Sequence, residues 1–201
     1  MEVLCEKCKR TRAEHTLEIT LMSICTLCYK KIIIQRIKKT LKNARVPNYT
    51  LCPYSSRFFS DSDVQALFNN IIEYHSMGEN RICQNSDNAI SILVATKECM
   101  AIMLLSYITS QREKHNNDNK DDELHSIIEG IGNGSIIVPL YNTSISEARI
   151  LLEDNEIGFS LNHQDRLLYE TIKEMEKTHK DASSGLTKSL MELSEIITKK
   201  R

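Results

Sequence analysis

Two pairs of cysteines near the start of the chain constrain its fold more than any other feature. Cys5 and Cys8 form one Cys-x-x-Cys pair, and Cys25 and Cys28 form another, with sixteen residues between the two pairs. Each such pair folds as a tight turn that presents two thiolates, and this spacing is typical of a four-cysteine zinc site. Because four thiolates complete the tetrahedron around zinc, we expect a structural site with no open position for water. The alternative is that the four cysteines belong to an ordinary buried core.

The chain shows no sign of a secretory or membrane destination. Its N-terminus lacks the uninterrupted apolar segment of a secretory signal, and its apolar stretches are far shorter than the roughly 20 residues of a membrane span. We therefore expect no membrane partner and a cytoplasmic location, although the nucleus is also compatible. In that reducing environment, paired cysteines indicate metal binding rather than disulfides.

The remaining cysteines and the known catalytic motifs give no indication of an enzyme. Cys52, Cys83 and Cys99 are isolated, and isolated cysteines in apolar surroundings are mostly small buried hydrophobes. The sequence contains no His-Glu-x-x-His motif, no Gly-x-Ser-x-Gly motif and no Gly-x-x-x-x-Gly-Lys phosphate loop. We therefore expect no catalytic residue in this chain.

The charge is divided sharply along the chain. Residues 1–45 contain eleven Lys and Arg against four Asp and Glu, a net charge of +7, so the overall net charge of −1 leaves −8 for the remainder.

A basic amphipathic helix is predicted from Tyr29 to Arg45, with an apolar face formed by Ile33, Ile34, Ile37, Leu41 and Ala44. Its other face carries Lys30, Lys31, Arg36, Lys38, Lys39 and Lys42. This basic face either is a solvated cover of the four-cysteine zinc knuckle or contacts nucleic-acid phosphates without reading sequence, and both interpretations stay open.

Strand and helix patterns alternate through the rest of the chain. Short β-prone runs predict strands at 49–52, 80–85 and 135–140, and apolar periodicity predicts helices at 61–74, 88–110, 144–154, 161–180 and 186–200. Residues 113–123 are polar without periodicity and predict a loop, and Gly130, Gly132 and Gly134 are interpreted as a plain turn. This order favours an α/β fold with a small parallel sheet. We divide the chain into a zinc knuckle with its basic helix (1–45), a reduced α/β domain (46–158) and a C-terminal helical segment (159–201).

Several segments, in their order along the chain, resemble the cytoplasmic tRNA 2-thiolation protein 2 family, the non-catalytic partner of a tRNA thiolase. The cysteine motif and the basic helix that follows it are the most specific of these segments. The others are Asn85-Ser-Asp87-Asn88, Ile137-Val-Pro139-Leu140 with the helix after it, and the stretch from Leu161 to Leu190. Together they run from one end of the chain to the other, as in a shortened member of the family.

The resemblance implies a fold, a partner and a substrate. The fold would be of the PP-loop ATPase type, an α/β sheet related to that of the adenine-nucleotide α-hydrolases. The partner would be the catalytic thiolase subunit, which forms a heterodimer with this chain and receives sulfur from a ubiquitin-like carrier. The substrate would be tRNA, thiolated at its wobble uridine, and this chain would be catalytically silent.

One segment departs from the pattern of an active PP-loop enzyme. Such an enzyme carries Ser-Gly-Gly-x-Asp-Ser after its first strand, whereas this chain offers Pro53, Tyr54, Ser55 and Ser56. The glycine N–H groups that would cradle pyrophosphate are missing, and Pro53 has no N–H to donate. We therefore expect no ATP chemistry and only structural zinc as a cofactor. The short span 59–82 further indicates a reduced family member.

Two other functions stay open from the sequence. One is a zinc-knuckle interaction adaptor with no link to tRNA, although a cross-braced RING domain would need eight metal ligands where this motif supplies four. The other is an active sulfurtransferase that carries a persulfide on Cys83 or Cys52. Salt-dependent binding of tRNA would separate the adaptor from the thiolation hypothesis.

Overall fold

The N-terminal region of the computed structural model is a small hairpin followed by a long helix. The structure describes residues 3–17, 21–44, 50–54, 57–75, 89–113, 122–152 and 158–199. β1 (His15–Thr16) pairs antiparallel with β2 (Ser23–Ile24), and α1 (Thr26–Asn43) begins directly after the hairpin. α1 packs against the body through the buried side chains of Ile33, Ile37 and Leu41, as the spacing of its apolar residues predicts.

A three-stranded parallel sheet forms the centre of the body. β3 (Thr50–Tyr54), β4 (Ala89–Leu93) and β5 (Ile136–Ile137) lie side by side in chain order, and both pairings are parallel. α2 (Asp61–His75) lies between β3 and β4 in the chain, and α3 (Lys97–Glu113) and α4 (Asp122–Asn133) lie between β4 and β5. Parallel neighbours need such long connections, because the chain must return to the same end of the sheet. The predicted α/β class with a small parallel sheet is confirmed.

Three more helices complete the described chain, namely α5 (Ile145–Leu151), α6 (His163–Thr178) and α7 (Ala182–Lys199). α7 packs along α3 and α4, and α6 packs on α3. Met100, Ile128, Ile172 and Leu190 are fully buried where these four helices meet. Within the described ranges, no helix combines the length and the apolar character that crossing a membrane would require.

The structure corrects the helix that the sequence predicts over 88–110. Residues 89–93 form β4, and the helix begins only at Lys97. Ile90 to Leu105 is largely apolar, so its periodicity cannot separate a strand buried between two neighbours from a buried helix. Pairing of β4 with strands on both sides decides in favour of the strand. The strand predicted at 80–85 lies outside the described residues.

The glycine-containing segment is also different from its prediction. Gly130 and Gly132 lie inside α4, and Gly134, whose φ is +80°, follows the end of the helix in the left-handed conformation that favours glycine. Each glycine lowers the stability of a helix by about 1 kcal/mol relative to alanine. Three glycines within five residues therefore predicted a turn. β5 is also shorter than the predicted strand 135–140, and it ends before Pro139, which cannot donate to a ladder.

Gly132 lies where α4 and α7 approach each other most closely. A Cβ atom at this position would lie 2.2 Å from the carbonyl oxygen of Ser194 and 2.2 Å from the Thr198 hydroxyl oxygen. The carbonyl belongs to the backbone of α7 and cannot rotate away. The missing side chain of Gly132 is therefore a packing requirement of the α4–α7 contact, which outweighs the low helix propensity of glycine.

Substitution Gly132→Ala is expected to lower the free energy of unfolding by about 1–3 kcal/mol, because α4 and α7 must move apart. Gly185→Ala is the matched control. It adds the same methyl group to an exposed helical position with no atom within 4 Å, and is expected to raise that free energy by about 0.5–1 kcal/mol. Urea unfolding followed by circular dichroism measures both, and equal effects of the two substitutions would contradict the close approach.

Candidate metal centre and basic helix

The structure brings the four predicted metal ligands together. The Sγ atoms of Cys5, Cys8, Cys25 and Cys28 all lie within 4.8 Å of one another. Three of these cysteines are buried and Cys8 is half-buried. In the part of the chain that the structure describes, this is the one group of His, Cys, Asp or Glu side chains arranged in this way.

Two backbone turns present these thiols. In the first, the Cys5 carbonyl accepts a hydrogen bond from the Lys9 N–H (2.7 Å), and Lys9 adopts a positive φ of 56°. The Cys5 N–H donates to the Thr11 carbonyl (2.8 Å) and closes this loop. The second turn is the start of α1, where Cys25 occupies the N-cap position and Cys28 lies three residues further on the same side of the helix. The helix thus supplies half of the cluster.

The thiols differ in their readiness to lose a proton. A hydrogen bond with the Thr11 hydroxyl, together with the N–H groups of Arg10 and Thr11, lowers the pKa of Cys8 to about 5. Burial raises the pKa of Cys28 to about 12. Because metals bind thiolates, Cys8 offers a cation a ready ligand at neutral pH, and binding must release the proton of Cys28.

The sulfur spacing distinguishes a single ion from an iron–sulfur cluster. A tetrahedral ion with metal–sulfur bonds of about 2.3 Å places its sulfurs about 3.8 Å apart. Cys8 Sγ lies 3.9 Å from Cys25 Sγ, and the largest separation in the set is within 4.8 Å. In a 4Fe-4S cluster each cysteine binds a different iron atom, so the four sulfurs lie further apart. The donor set therefore fits one tetrahedral ion.

The basic face of α1 divides into exposed and anchored side chains. Lys31, Lys38, Lys39 and Lys42 are exposed, while Lys30 and Arg36 are half-buried. Further exposed cations come from the first cysteine turn and the residues after it, which contribute Lys7, Lys9, Arg10 and Arg12. The knuckle and α1 therefore both present basic side chains to solvent.

Arg36 is anchored to the body by a buried carboxylate. Its Nη1 atom donates to Glu147 Oε1 (2.9 Å), and the hydroxyl of Tyr29 donates to the same oxygen (3.1 Å). Glu147 also caps α5: its Oε2 accepts from the Ser144 N–H (2.9 Å), and its own N–H donates to the Ser144 hydroxyl (3.2 Å). The Ser-x-x-Glu pattern of this capping box is readable in the sequence. The long-range contacts to Tyr29 and Arg36 are not, because 118 and 111 residues separate the partners.

The degenerate loop position follows directly after β3. Pro53 and Tyr54 are the last two residues of that strand, and Ser55 and Ser56 lie outside the described residues. Beyond them Phe58 is buried, and the cavity that it lines together with Leu93 at the end of β4 has a volume of only about 40 Å³. Met103 of α3 and Leu124 and Ile127 of α4 also line this small cavity.

A second ion pair at this end of the sheet is not predicted from the sequence. Arg57 Nη2 donates to Asp165 Oδ1 (2.9 Å) and to the Ser106 hydroxyl (3.1 Å). Asp165 is 2% exposed and lies in the first turn of α6. The contact spans 108 residues, so no local pattern could have indicated it.

Cys52 and Cys99 lie outside the four-cysteine cluster. Cys99 is fully buried near the start of α3, and burial raises its pKa to about 12, which leaves a poor nucleophile. Its interpretation as a small buried hydrophobe is confirmed. Cys52 is half-buried in β3, and Cys83 lies outside the described residues.

Comparison of the sequence with known protein families finds no match, and comparison with curated proteins also finds none. Among solved structures, the fold is similar to that of the U34-tRNA thiolase NcsA from Methanococcus maripaludis with its 4Fe-4S cluster. The TM-score is 0.54 at 12% sequence identity, and the match covers 97% of this chain and 89% of the thiolase chain. At this identity the comparison shows a shared fold, which agrees with the predicted α/β architecture.

Substitution Cys25→Ala is expected to abolish metal binding, because three thiolates no longer close the tetrahedron. Metal analysis of the purified protein should find about one zinc ion per wild-type chain and none in the variant. Cys99→Ala removes a buried thiol outside the cluster and should retain the ion. Retention of metal by the Cys25 variant, or iron with inorganic sulfide in the wild type, would contradict a one-ion zinc site.

Proposed function

We propose that this protein is a non-catalytic subunit of a tRNA wobble-uridine thiolation complex. The observation that carries the proposal is a fold shared with a U34-tRNA thiolase over 97% of the chain, combined with a sequence that lacks the glycine phosphate loop after β3. The shared fold favours the same reaction system. The missing loop favours a supporting role within it.

Catalytic silence is argued from the end of β3. The first glycine of the chain is Gly78, so no glycine lies between β3 and α2, where an ATP-binding loop would be. Phe58, just after this segment, is buried, and Pro53 has no N–H to donate to a phosphate. A chain with this strand end would leave the activation of uridine by ATP to a partner.

The metal in this proposal is structural zinc. The sulfur spacing supports a single tetrahedral ion, and four cysteine ligands leave no coordination position for a reactant. Cys25 and Cys28 belong to the start of α1, so the ion would fix the direction of that helix relative to the first cysteine turn. Zinc would thereby orient the basic face and supply no catalytic chemistry.

The basic face supplies the proposed contact with tRNA. Lys31, Lys38, Lys39 and Lys42 are exposed along α1, and such side chains bind phosphates through charge, without reading bases. Arg36 contributes differently, because its guanidinium group is paired with Glu147 and positions the helix. The catalytic thiolase subunit would dock on the body of this chain in the cytoplasm, and the ubiquitin-like sulfur carrier would act through that subunit.

Affinity purification of the full chain from its own cells is expected to recover a PP-loop thiolase and tRNA together. Mass spectrometry identifies the protein partner, and sequencing identifies the RNA. Loss of the chain should also reduce 2-thiouridine at the wobble position. A chain that is recovered alone, in cells whose wobble thiolation persists without it, would refute the complex and favour the adaptor.

Substitution of Lys38 and Lys39 together by Ala is expected to weaken binding of a tRNA transcript and to lower the slope of log affinity against log salt. Each lost phosphate contact should reduce that slope by about 0.7–0.9. Lys188→Ala, at an exposed position of α7, is the control and should change neither quantity. Gel shifts over a series of salt concentrations give both quantities, and identical behaviour of all three proteins would remove α1 from the RNA surface.

A further inference from the structure

An open cavity of about 580 Å³ lies between the turn after β3 and the segment that leads into α6. Its two charged lining residues are Arg57 and Arg166, and Ser60 and Ser160 also line it. No acidic residue is among the described residues that form its wall. This is notable in the part of the chain after residue 45, whose net charge is −8. The charged side chains that line the cavity are therefore both positive, on a body that is acidic overall.

Hydrogen bonds and a ring contact hold the Arg57 side chain in one orientation. Its Nη2 atom donates to Asp165 Oδ1 (2.9 Å) and to the Ser106 hydroxyl (3.1 Å), and its guanidinium carbon lies 5.1 Å from the centre of the Phe58 ring. The Asp165 side chain is 3% exposed, whereas the Arg57 side chain is 44% exposed. A guanidinium group has five donors, so one nitrogen can be anchored while the exposed edge meets an anion. Such a pre-oriented arginine loses little entropy on binding.

The walls of the cavity are tied together by the backbone. Phe59 and Phe159 form an isolated antiparallel bridge, and the Ser160 N–H donates to the Phe58 carbonyl (2.9 Å). Asp63 of α2 accepts through one oxygen from the Gly158 N–H (3.1 Å) and from the Ser60 hydroxyl (2.6 Å), and so ties together two residues of the cavity wall. These bonds fix the two chain segments relative to each other, so the cavity is a formed feature of the described structure.

The second cation and an aromatic ring complete the site. Arg166 is exposed in the first turn of α6, one residue after the buried Asp165 that anchors Arg57. The Phe159 ring is half-buried, packed against Phe59 (5.8 Å between centroids) and Tyr169 (5.3 Å). Two arginines beside an apolar aromatic wall suit a ligand that is anionic at one end and flat and apolar at the other.

We propose that this cavity binds one nucleotide of an RNA chain, with its phosphate on Arg57 and Arg166 and its base or sugar against Phe159. The volume of about 580 Å³ accommodates a nucleotide, and the cavity is open to solvent, as a continuous RNA chain requires. A nucleoside monophosphate unit could also come from a free nucleotide. The polar lining offers arginines that suit one phosphate group, and it has no glycine loop to bind a row of phosphates such as that of ATP. The cavity is therefore assigned to RNA. The inference rests on the proposed function and adds an RNA contact on the body.

The test uses the full-length protein and a labelled tRNA transcript with uridine at position 34. Arg166→Ala is expected to weaken binding about tenfold, as for loss of a charge-assisted hydrogen bond, and to lower the salt slope by about 0.7–0.9. Arg166→Lys keeps the charge without the planar fork, so it should retain the salt slope and lose part of the affinity. Arg149→Ala, at an exposed position of α5 outside the cavity, is the matched control and should bind as the wild type does.

The outcomes separate this inference from the proposed function. Weakening by the Lys38 and Lys39 substitutions without any effect of Arg166→Ala overturns the cavity assignment and leaves the proposed function standing. Absence of tRNA binding by the wild type overturns both. AMP and ATP are titrated directly as the second arm: binding of either that depends on Arg166 would assign the cavity to a free nucleotide and overturn the assignment to RNA.

Discussion

The buried carboxylate of Glu147 joins the two halves of this molecule. One of its oxygens accepts from Tyr29 and Arg36 of α1, and the other accepts from the Ser144 N–H at the start of α5. Removing the carboxylate would leave the Arg36 charge and the Tyr29 hydroxyl without their acceptor in a largely buried place, which is a costly state.

The Glu147 junction and the four-cysteine cluster both involve residues of α1. Tyr29 follows Cys28 directly, so the residue that meets Glu147 is the neighbour of a metal ligand. The ring of His15 from the hairpin packs against Tyr29 (5.2 Å between centroids), and its Nε2 atom is 2.9 Å from the Thr26 hydroxyl. The basic face of α1 therefore belongs to a helix whose first turn carries two of the four clustered cysteines and whose side is fixed by an ion pair. In the proposed function, a helix held in this way would present its charges to tRNA at low entropic cost.

The body uses the carboxyl ends of its strands differently from an ATP-binding α/β protein. In such proteins the crevice outside these strand ends is where ligands bind. Here Phe58 is buried at that position, and Arg57 is directed by Asp165 toward the cavity in front of α6. The segment after β3 that lacks glycine therefore also contains the anchored Arg57. In the proposed function, this strand end would contact a polynucleotide.

The local sequence was sufficient for the cysteine cluster, the apolar face of α1 and the α/β class. Each of these depends on ligand spacing, on helical period or on the order of elements. The same patterns failed at Ile90 and Ile92, because an apolar run fits a buried strand and a buried helix equally well. They failed again at Gly132, whose place inside α4 depends on the backbone of α7, more than 60 residues away. The strand at 80–85 and the absence of catalytic activity in this chain stay predictions.

The sequence by itself determined which residues could bind a metal and where positive charge accumulates, since cysteine spacing and charge are properties of neighbouring residues. Tertiary structure alone decided which charges are exposed and which are anchored. Arg36 and Arg57 look in the sequence like other basic residues, yet each is paired with a buried carboxylate more than 100 residues distant. The physical reason is that an ion pair depends on atoms a few ångströms apart in space, and only the packing of α1 on α5 and of α6 on α3 brings those atoms together.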